Sequence, residues 1–224
     1  MSFPNLFIYG AGGFGKEIRD IATRANRQNR CWREIFFIDD FAPPGTLLGD
    51  TQAFPFTTAL ENFGAADMEV VIALGEPAHR ETLHTKLAQC GVRLARVIDP
   101  SAVVSPYASL GDGVILTAFC IVAADAKVGN NVAVNVQAII GHDVVVGDHS
   151  VISSMVNLGG GTRVGSATYI GMGSQVKEQL CIGDRSIVGM GSVVHHDLGD
   201  DLIALGNPAR AMRKNETRRV FSKS

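Results

Sequence analysis

Near residue 100 the spacing of apolar positions changes character. Before it, short β-type apolar runs alternate with helix-like stretches: NLFIYG, KEIRDIATRAN, REIFFIDD, MEVVIALG, HRETLHTKLAQCG and RLARVIDP. Such alternation predicts a small α/β unit on a parallel sheet. From Val103 onward the period is six. Sixteen consecutive hexads run from VVSPYA to VVHHDL without insertion, and every second place, from Val104 to Val194, is Val, Ile or Leu. Neither a helix, at 3.6 residues per turn, nor an amphipathic strand, at 2, has that period. Three hexads per turn give a coil of three short strands whose second-place aliphatics stack into a continuous core. Sixth places hold only Ala, Val, Cys, Ser, Thr or Leu, as an inward corner with limited room requires. Gly follows the aliphatic in nine hexads, which reads as a tight bend.

This pattern resembles the hexapeptide repeat of the left-handed parallel β-helix acyltransferases. The left hand is taken from the resemblance, because the general crossover preference is right-handed. The expected fold is an α/β N-terminal half-Rossmann domain followed by a left-handed parallel β-helix. Residues 1–100 are the expected Rossmann-like nucleotide-sugar-binding domain, and residues 101–224 the acyltransferase domain with a C-terminal tail. After the hexads, DDLIALGNPARAMRKNETRR reads as a strand-like piece, a GNPAR turn and a basic helical tail.

Composition narrows the function classes. The 224 residues are 46% hydrophobic, ample for packed cores. Twenty basic against 22 acidic residues leave a formal charge of -2, so there is no basic field for nucleic acid and no polybasic patch for a membrane. No positive n-region precedes the first apolar run and no apolar segment approaches a membrane span, so a soluble, cytoplasmic protein is expected. Cys31, Cys90, Cys120 and Cys181 lie at least 30 residues apart without CxxC spacing, so no metal site and no disulfide framework is expected.

Gly10-Ala11-Gly12-Gly13-Phe14-Gly15 satisfies GxGxxG, follows the strand-like LFIY and opens a helix-like stretch. Such a loop lets backbone amides approach a phosphate at a helix N-terminus, and Asp39 and Asp40 end the next strand where a Rossmann protein meets a ribose hydroxyl. Alone, the loop fits NAD or a turn that needs glycine for packing, but the domain is too short for a second mononucleotide half. YGAGGFGKEI, FIDD and VIALGEP, followed by hexads carrying GHD, resemble the PglD/NeuD family of bacterial sugar acyltransferases over essentially the whole chain. The resemblance implies that this domain holds a nucleotide-linked amino sugar and not NAD. It implies Gly12, Gly13 and Phe14 against the diphosphate or sugar, Asp39 and Asp40 against the base or ribose, and Gly75 against the nucleotide. Phe14 stands where many members carry His.

His142 lies two places after the inward Ile140, so it points out of the prism with Asp143 at the adjoining corner; the pair is either a solvated surface feature or a base with its orienting carboxylate. As chemistry, His142 acts as general base on an amine or hydroxyl attacking a thioester, and Asp143 fixes its tautomer. The resemblance places its catalytic histidine, followed by an acidic residue, here. His196-Asp197 shares the frame 54 residues later, roughly 14 Å away at about 4.8 Å per coil. It is ranked below His142, because it lies where the β-helix ends. His149 has no motif support for a role, and His79 and His84 are expected on the surface. Acetyl-CoA is implied along the later coils, at Gly160 and Met172, with Pro208 and Arg210 of GNPAR near its adenine or phosphate. The expected activity is acetyl-CoA-dependent N-acetylation of a nucleotide-linked amino sugar, a 4-amino-4,6-dideoxyhexose, for a bacterial surface glycan. The resemblance implies a homotrimer with shared active sites. The alternatives are O-acetylation of the sialic-acid type and a non-catalytic nucleotide-binding trimer.

Overall fold

The computed structural model describes residues 3–43 and 45–221. The first part is a six-stranded sheet formed by β1 (Asn5–Tyr9), β2 (Ile35–Ile38), β3 (Leu47–Leu48), β4 (Thr51–Phe54), β5 (Met68–Ile72) and β6 (Arg93–Leu94). Helices α1 (Gly13–Gln28), α2 (Phe56–Phe63) and α3 (Pro77–Gln89) pack around it. The order is β3-β4-β2-β1-β5-β6, parallel except for the β3-β4 pair. Every residue of β1 is buried, which is why its run reads as continuously apolar and not alternating.

The second part is a left-handed parallel β-helix. Its strands are two residues long and each pairs with the strand one coil on, as Ile121 does with Ile139 and Val122 with Ile140. A first face carries Val97, Ile115, Ala133, Val151 and Tyr169; a second carries Val103, Ile121, Ile139, Asn157 and Gln175; a third carries Ser109, Lys127, Val145, Arg163 and Cys181. Second-place residues such as Leu116, Val134, Ile140 and Ile152 fill the interior, together with the small sixth-place residues.

The tight bend falls elsewhere than the glycine pattern suggested. Positive φ occurs at the fifth place of fourteen consecutive hexads, from Gly113 to Gly191, with Asp143 at 59°. The third-place glycines answer to close stacking between coils instead. A methyl on Gly141 would lie 2.6 Å from the Leu158 carbonyl oxygen, and one on Gly129 would lie 2.4 Å from Asp148 Oδ1. That Asp148 oxygen accepts from the Asn130 amide at 2.7 Å, so the glycine makes room for a side chain that ties two coils together.

Beyond Val194 the coil shortens. Leu198 bridges Ile182, and Ile203 pairs with Ile187, each sixteen residues on where every earlier rung takes eighteen. The expected helical tail is a strand, Arg210–Lys214, antiparallel to Leu202–Leu205. A terminal coil exposes unpaired N–H and C=O groups, and a returning strand satisfies them where a helix could not. The first face is covered by the α/β part: Ile115, Ala133 and Val151 form one buried cluster with Leu6, Ile8 and Ile18.

Candidate active site

Two regions carry chemistry. The first is a crevice of about 380 Å³ at the carboxyl ends of β1, β2 and β5, lined by Tyr9, Gly12, Asp39, Leu74, His79 and Thr82 among others. It sits where connections leave the sheet in opposite directions, the usual ligand position in open α/β sheets. The glycines of the loop divide by function. Gly15 is structural, since a methyl there would lie 1.9 Å from the Gly10 oxygen, and Gly10 has φ 108°. Around Gly12 and Gly13 no atom lies within 4 Å of an added methyl, so the fold does not require glycine there. What their bareness leaves open is the N-terminus of α1, which has no acidic residue in its first turn and no side-chain cap. Free amides at a helix N-terminus suit a diphosphate.

The two aspartates differ as well. Both oxygens of Asp40 are engaged: Oδ1 accepts from the Phe56 amide at 2.8 Å, and Oδ2 from Tyr9 Oη at 2.5 Å and Lys86 Nζ at 3.1 Å. Burial raises the Asp40 pKa, but these donors outweigh it and hold the carboxyl below its usual range. Burial and then Asp40 push the Tyr9 phenol up. Among the described residues the Asp39 carboxylate accepts only the Phe41 amide, through Oδ1, and it lines the crevice. Phe14 is partly buried against the core shared with the β-helix. Gly75 faces the ring of Phe221, and neighbouring Glu76 accepts from the Val220 and Phe221 amides at 3.0 to 3.2 Å, so the C-terminal tail returns to this domain.

The second region is the vertex between the second and third faces, opposite the first face and its covering domain. His142 projects outward here with its side chain 72% exposed, and its Nδ1 lies 2.8 Å from Asp143 Oδ2. A carboxylate at Nδ1 accepts from the ring, so in the neutral imidazole Nδ1 carries the proton and Nε2 presents a lone pair. Gly160, one coil on at the same vertex, accommodates the ring: a methyl there would lie 2.4 Å from His142 Nε2 and 2.5 Å from Cε1. His196 occupies the same vertex three coils later, but Asp197 Oδ1 accepts from the Cys181 amide at 2.8 Å.

Of the residues expected along acetyl-CoA, Gly160 adjoins His142, whereas Met172 sits on the vertex between the first and second faces. Met172 and Met190 are exposed there, beside Gly173 and Gly191, which have open space around them. Pro208 and Arg210 are exposed at the end of the β-helix, where Ala209 donates to the Val193 oxygen at 2.8 Å. No group of three or more His, Cys, Asp or Glu among the described residues could hold a metal ion, and no helix there is long and apolar enough to cross a membrane.

Sequence reasoning missed the contribution of α3. His79, Thr82 and Leu83 line the crevice and Lys86 reaches Tyr9 Oη at 2.8 Å. Their spacing of i, i+3, i+4 and i+7 marks one helix face, which is the signal that could have found them. His84 is not a surface residue as expected; it is half-buried, its ring 5.0 Å from that of His149, because α3 packs on the β-helix there.

A family model described as the PglD N-terminal domain matches residues 5–87. Among solved structures, the acetyltransferase domain of PglB from Neisseria gonorrhoeae is 30% identical, with a TM-score of 0.86 over 93% of this chain and 99% of that one. PerB from Caulobacter crescentus, solved with CoA and GDP-perosamine, is 29% identical, with a TM-score of 0.84 over 95% and 99%. WeeI from Acinetobacter baumannii is 28% identical, with a TM-score of 0.84 over 92% and 99%.

Proposed function

The chain belongs to the PglD-type sugar N-acetyltransferases, enzymes that use acetyl-CoA, and on that premise we propose that its acceptor is a nucleotide-linked 4-amino-4,6-dideoxyhexose destined for a bacterial surface glycan. PerB, which binds GDP-perosamine, supports a sugar of this class. Residues 1–100 bind the nucleotide: the bare Gly12 and Gly13 backbone at the start of α1 takes the diphosphate, and Asp39 takes the base or ribose. Residues 101–224 carry out acyl transfer.

His142 is the general base. Its Nε2 takes one proton from the sugar amine as the nitrogen–carbon bond forms and the carbon–sulfur bond of the thioester breaks, and it returns that proton to the departing sulfur. Asp143 holds the imidazole through Nδ1 and balances its transient charge. The single observation that carries this reading is the His142–Asp143 hydrogen bond at a vertex where Gly160 leaves room for the ring. The Gly160 backbone, Met172, Pro208 and Arg210 would hold acetyl-CoA.

A homotrimer with shared sites completes the proposal. Within one chain the crevice lies on the side of the first face and His142 at the vertex opposite, so a neighbour's crevice must supply the sugar. The second face supports such a packing, since Val103, Ile121 and Ile139 are exposed along it, with Phe119 and Met155 at its edge. Covering that face would bring one chain's Met172 vertex toward the next chain's His142 and remove the exposed pair from bulk water. A cytoplasmic site of action fits the four unpaired cysteines. The test is a screen of UDP-, GDP- and dTDP-linked 4-amino sugars with acetyl-CoA, read by release of free thiol. Turnover of one of them supports the reading; thiol release only with hydroxyl acceptors contradicts it.

A further inference from the structure

Arg80 of α3 is fully buried between the two parts of the molecule, and among the described residues its side chain donates only to amide oxygens, with no carboxylate paired to it. Nη1 donates to the carbonyls of Ile72 at 2.5 Å and Leu74 at 3.1 Å, the end of β5 and the wall of the crevice. Nε and Nη2 donate to the Asn131 carbonyl at 2.9 and 2.7 Å, and Nη2 also to Asn131 Oδ1 at 2.7 Å. Asn131 stands at the β-helix vertex between the third and first faces and returns a bond from Nδ2 to the Arg80 carbonyl at 3.0 Å. Burying a cation without a counter-ion is costly, and an apolar contact would hold two domains together at less expense. What five directed bonds supply in exchange is one fixed orientation.

The arrangement dictates the state of a histidine. A guanidinium only donates, so Asn131 Oδ1 must face Arg80 and its amide nitrogen must face His149 Nδ1, 3.1 Å away. That Nδ1 therefore accepts, and His149 is neutral with its proton on Nε2. We propose that Arg80 is a positioning residue: through Asn131 and neutral His149 it fixes the crevice wall to the β-helix, and acid releases it. The groups facing His149 are His84, Glu81 and Arg80 on α3 and Asp148 on its own corner. Burial, then His84, pulls the His149 pKa below its usual value; Asp148 and Glu81 oppose this and Arg80 adds to it. A histidine lowered in the folded state contributes stability that is complete above its unfolded pKa, near 6.5, and is lost as pH falls from there toward the folded value.

Hydrogen exchange on the full chain at about pH 8 and about pH 5.5, corrected for intrinsic rates, tests the lock without reference to any substrate. The wild type should lose protection on the order of tenfold across residues 72–76 on acidification, while α2 stays unchanged. His149→Gln should abolish that loss, since Gln accepts without titrating and Gln137 and Gln179 already take the same corner at φ 59° and 60°. Arg80→Lys, with a single nitrogen to span these acceptors, should leave 72–76 weakly protected at both pH values. In the acetylation assay, which rests on the function proposed above, it should raise KM for the sugar nucleotide about tenfold and leave KM for acetyl-CoA within about twofold. Acid-induced loss that persists in His149→Gln, or wild-type protection and sugar KM in Arg80→Lys, overturns the lock. Absence of turnover with every nucleotide sugar overturns the function and leaves the exchange result standing.

Discussion

His142-Asp143 and His196-Asp197 occupy the same places of their hexads, on one vertex three coils apart, yet their carboxylates serve different partners. Asp143 lies at a regular corner, φ 59°, where its amide donates to the Ala124 oxygen and its side chain is left for His142. Asp197 lies where the coil has shortened from eighteen residues to sixteen, and its carboxylate accepts the Cys181 amide, tying off the last turn. The repeat therefore decides where a side chain points, while the continuation of the coil decides what it is free to do. Gly160 completes the difference, since its missing methyl gives the His142 ring its seat.

Substitutions separate the two pairs, and the largest effect belongs to His142→Ala. It should lower kcat by roughly 10²–10⁴ with acetyl-CoA affinity nearly intact, the usual contribution of a positioned base. Gly160→Ala keeps both members of the pair but drives a methyl into the ring position; kcat should fall on the order of tenfold to a hundredfold with little change in thermal midpoint, because the ring is exposed. Asp143→Asn should fall between His142→Ala and His196→Ala, holding the ring but losing the charge that stabilises imidazolium. In the crevice, Asp39→Ala should raise the sugar-nucleotide KM about tenfold with kcat little changed. Asp40→Ala should act more through stability, losing the bonds from Tyr9, Phe56 and Lys86, so a KM effect without a lower thermal midpoint would reverse the roles given to the two aspartates. His196→Ala should leave kcat within about twofold.

Much of this was legible in the chain. The hexads declared the β-helix because a repeat without insertion permits only stacked coils, and the outward place of His142 followed from the frame alone. Which face docks the α/β part was not legible: first-place residues Ile115, Ala133, Val151 and Tyr169 are apolar on the first face, but so are Val103, Ile121 and Ile139 on the second, and only the third, with Ser109, Lys127 and Arg163, stands apart as polar. The third-place glycines were misread, because contact between coils cannot be seen in one hexad. The tail strand was hidden too: RAMRK has neither strand alternation nor burial, and its conformation follows from the open edge it pairs with. Arg80 gave no signal, since an arginine on a helix reads as a solvated charge until its acceptors from two domains are assembled around it.

The most direct test of the base proposed at His142 is turnover of His142→Ala with and without imidazole in the buffer. Removing the side chain leaves a slot over Gly160 beside Asp143, and a free imidazole bound there can supply the missing lone pair. The variant should be nearly inactive alone, imidazole should restore part of its turnover in a concentration-dependent way, and wild type and His196→Ala should not respond. Near-wild-type turnover in His142→Ala, indifferent to imidazole, would contradict the assignment of the base to this vertex.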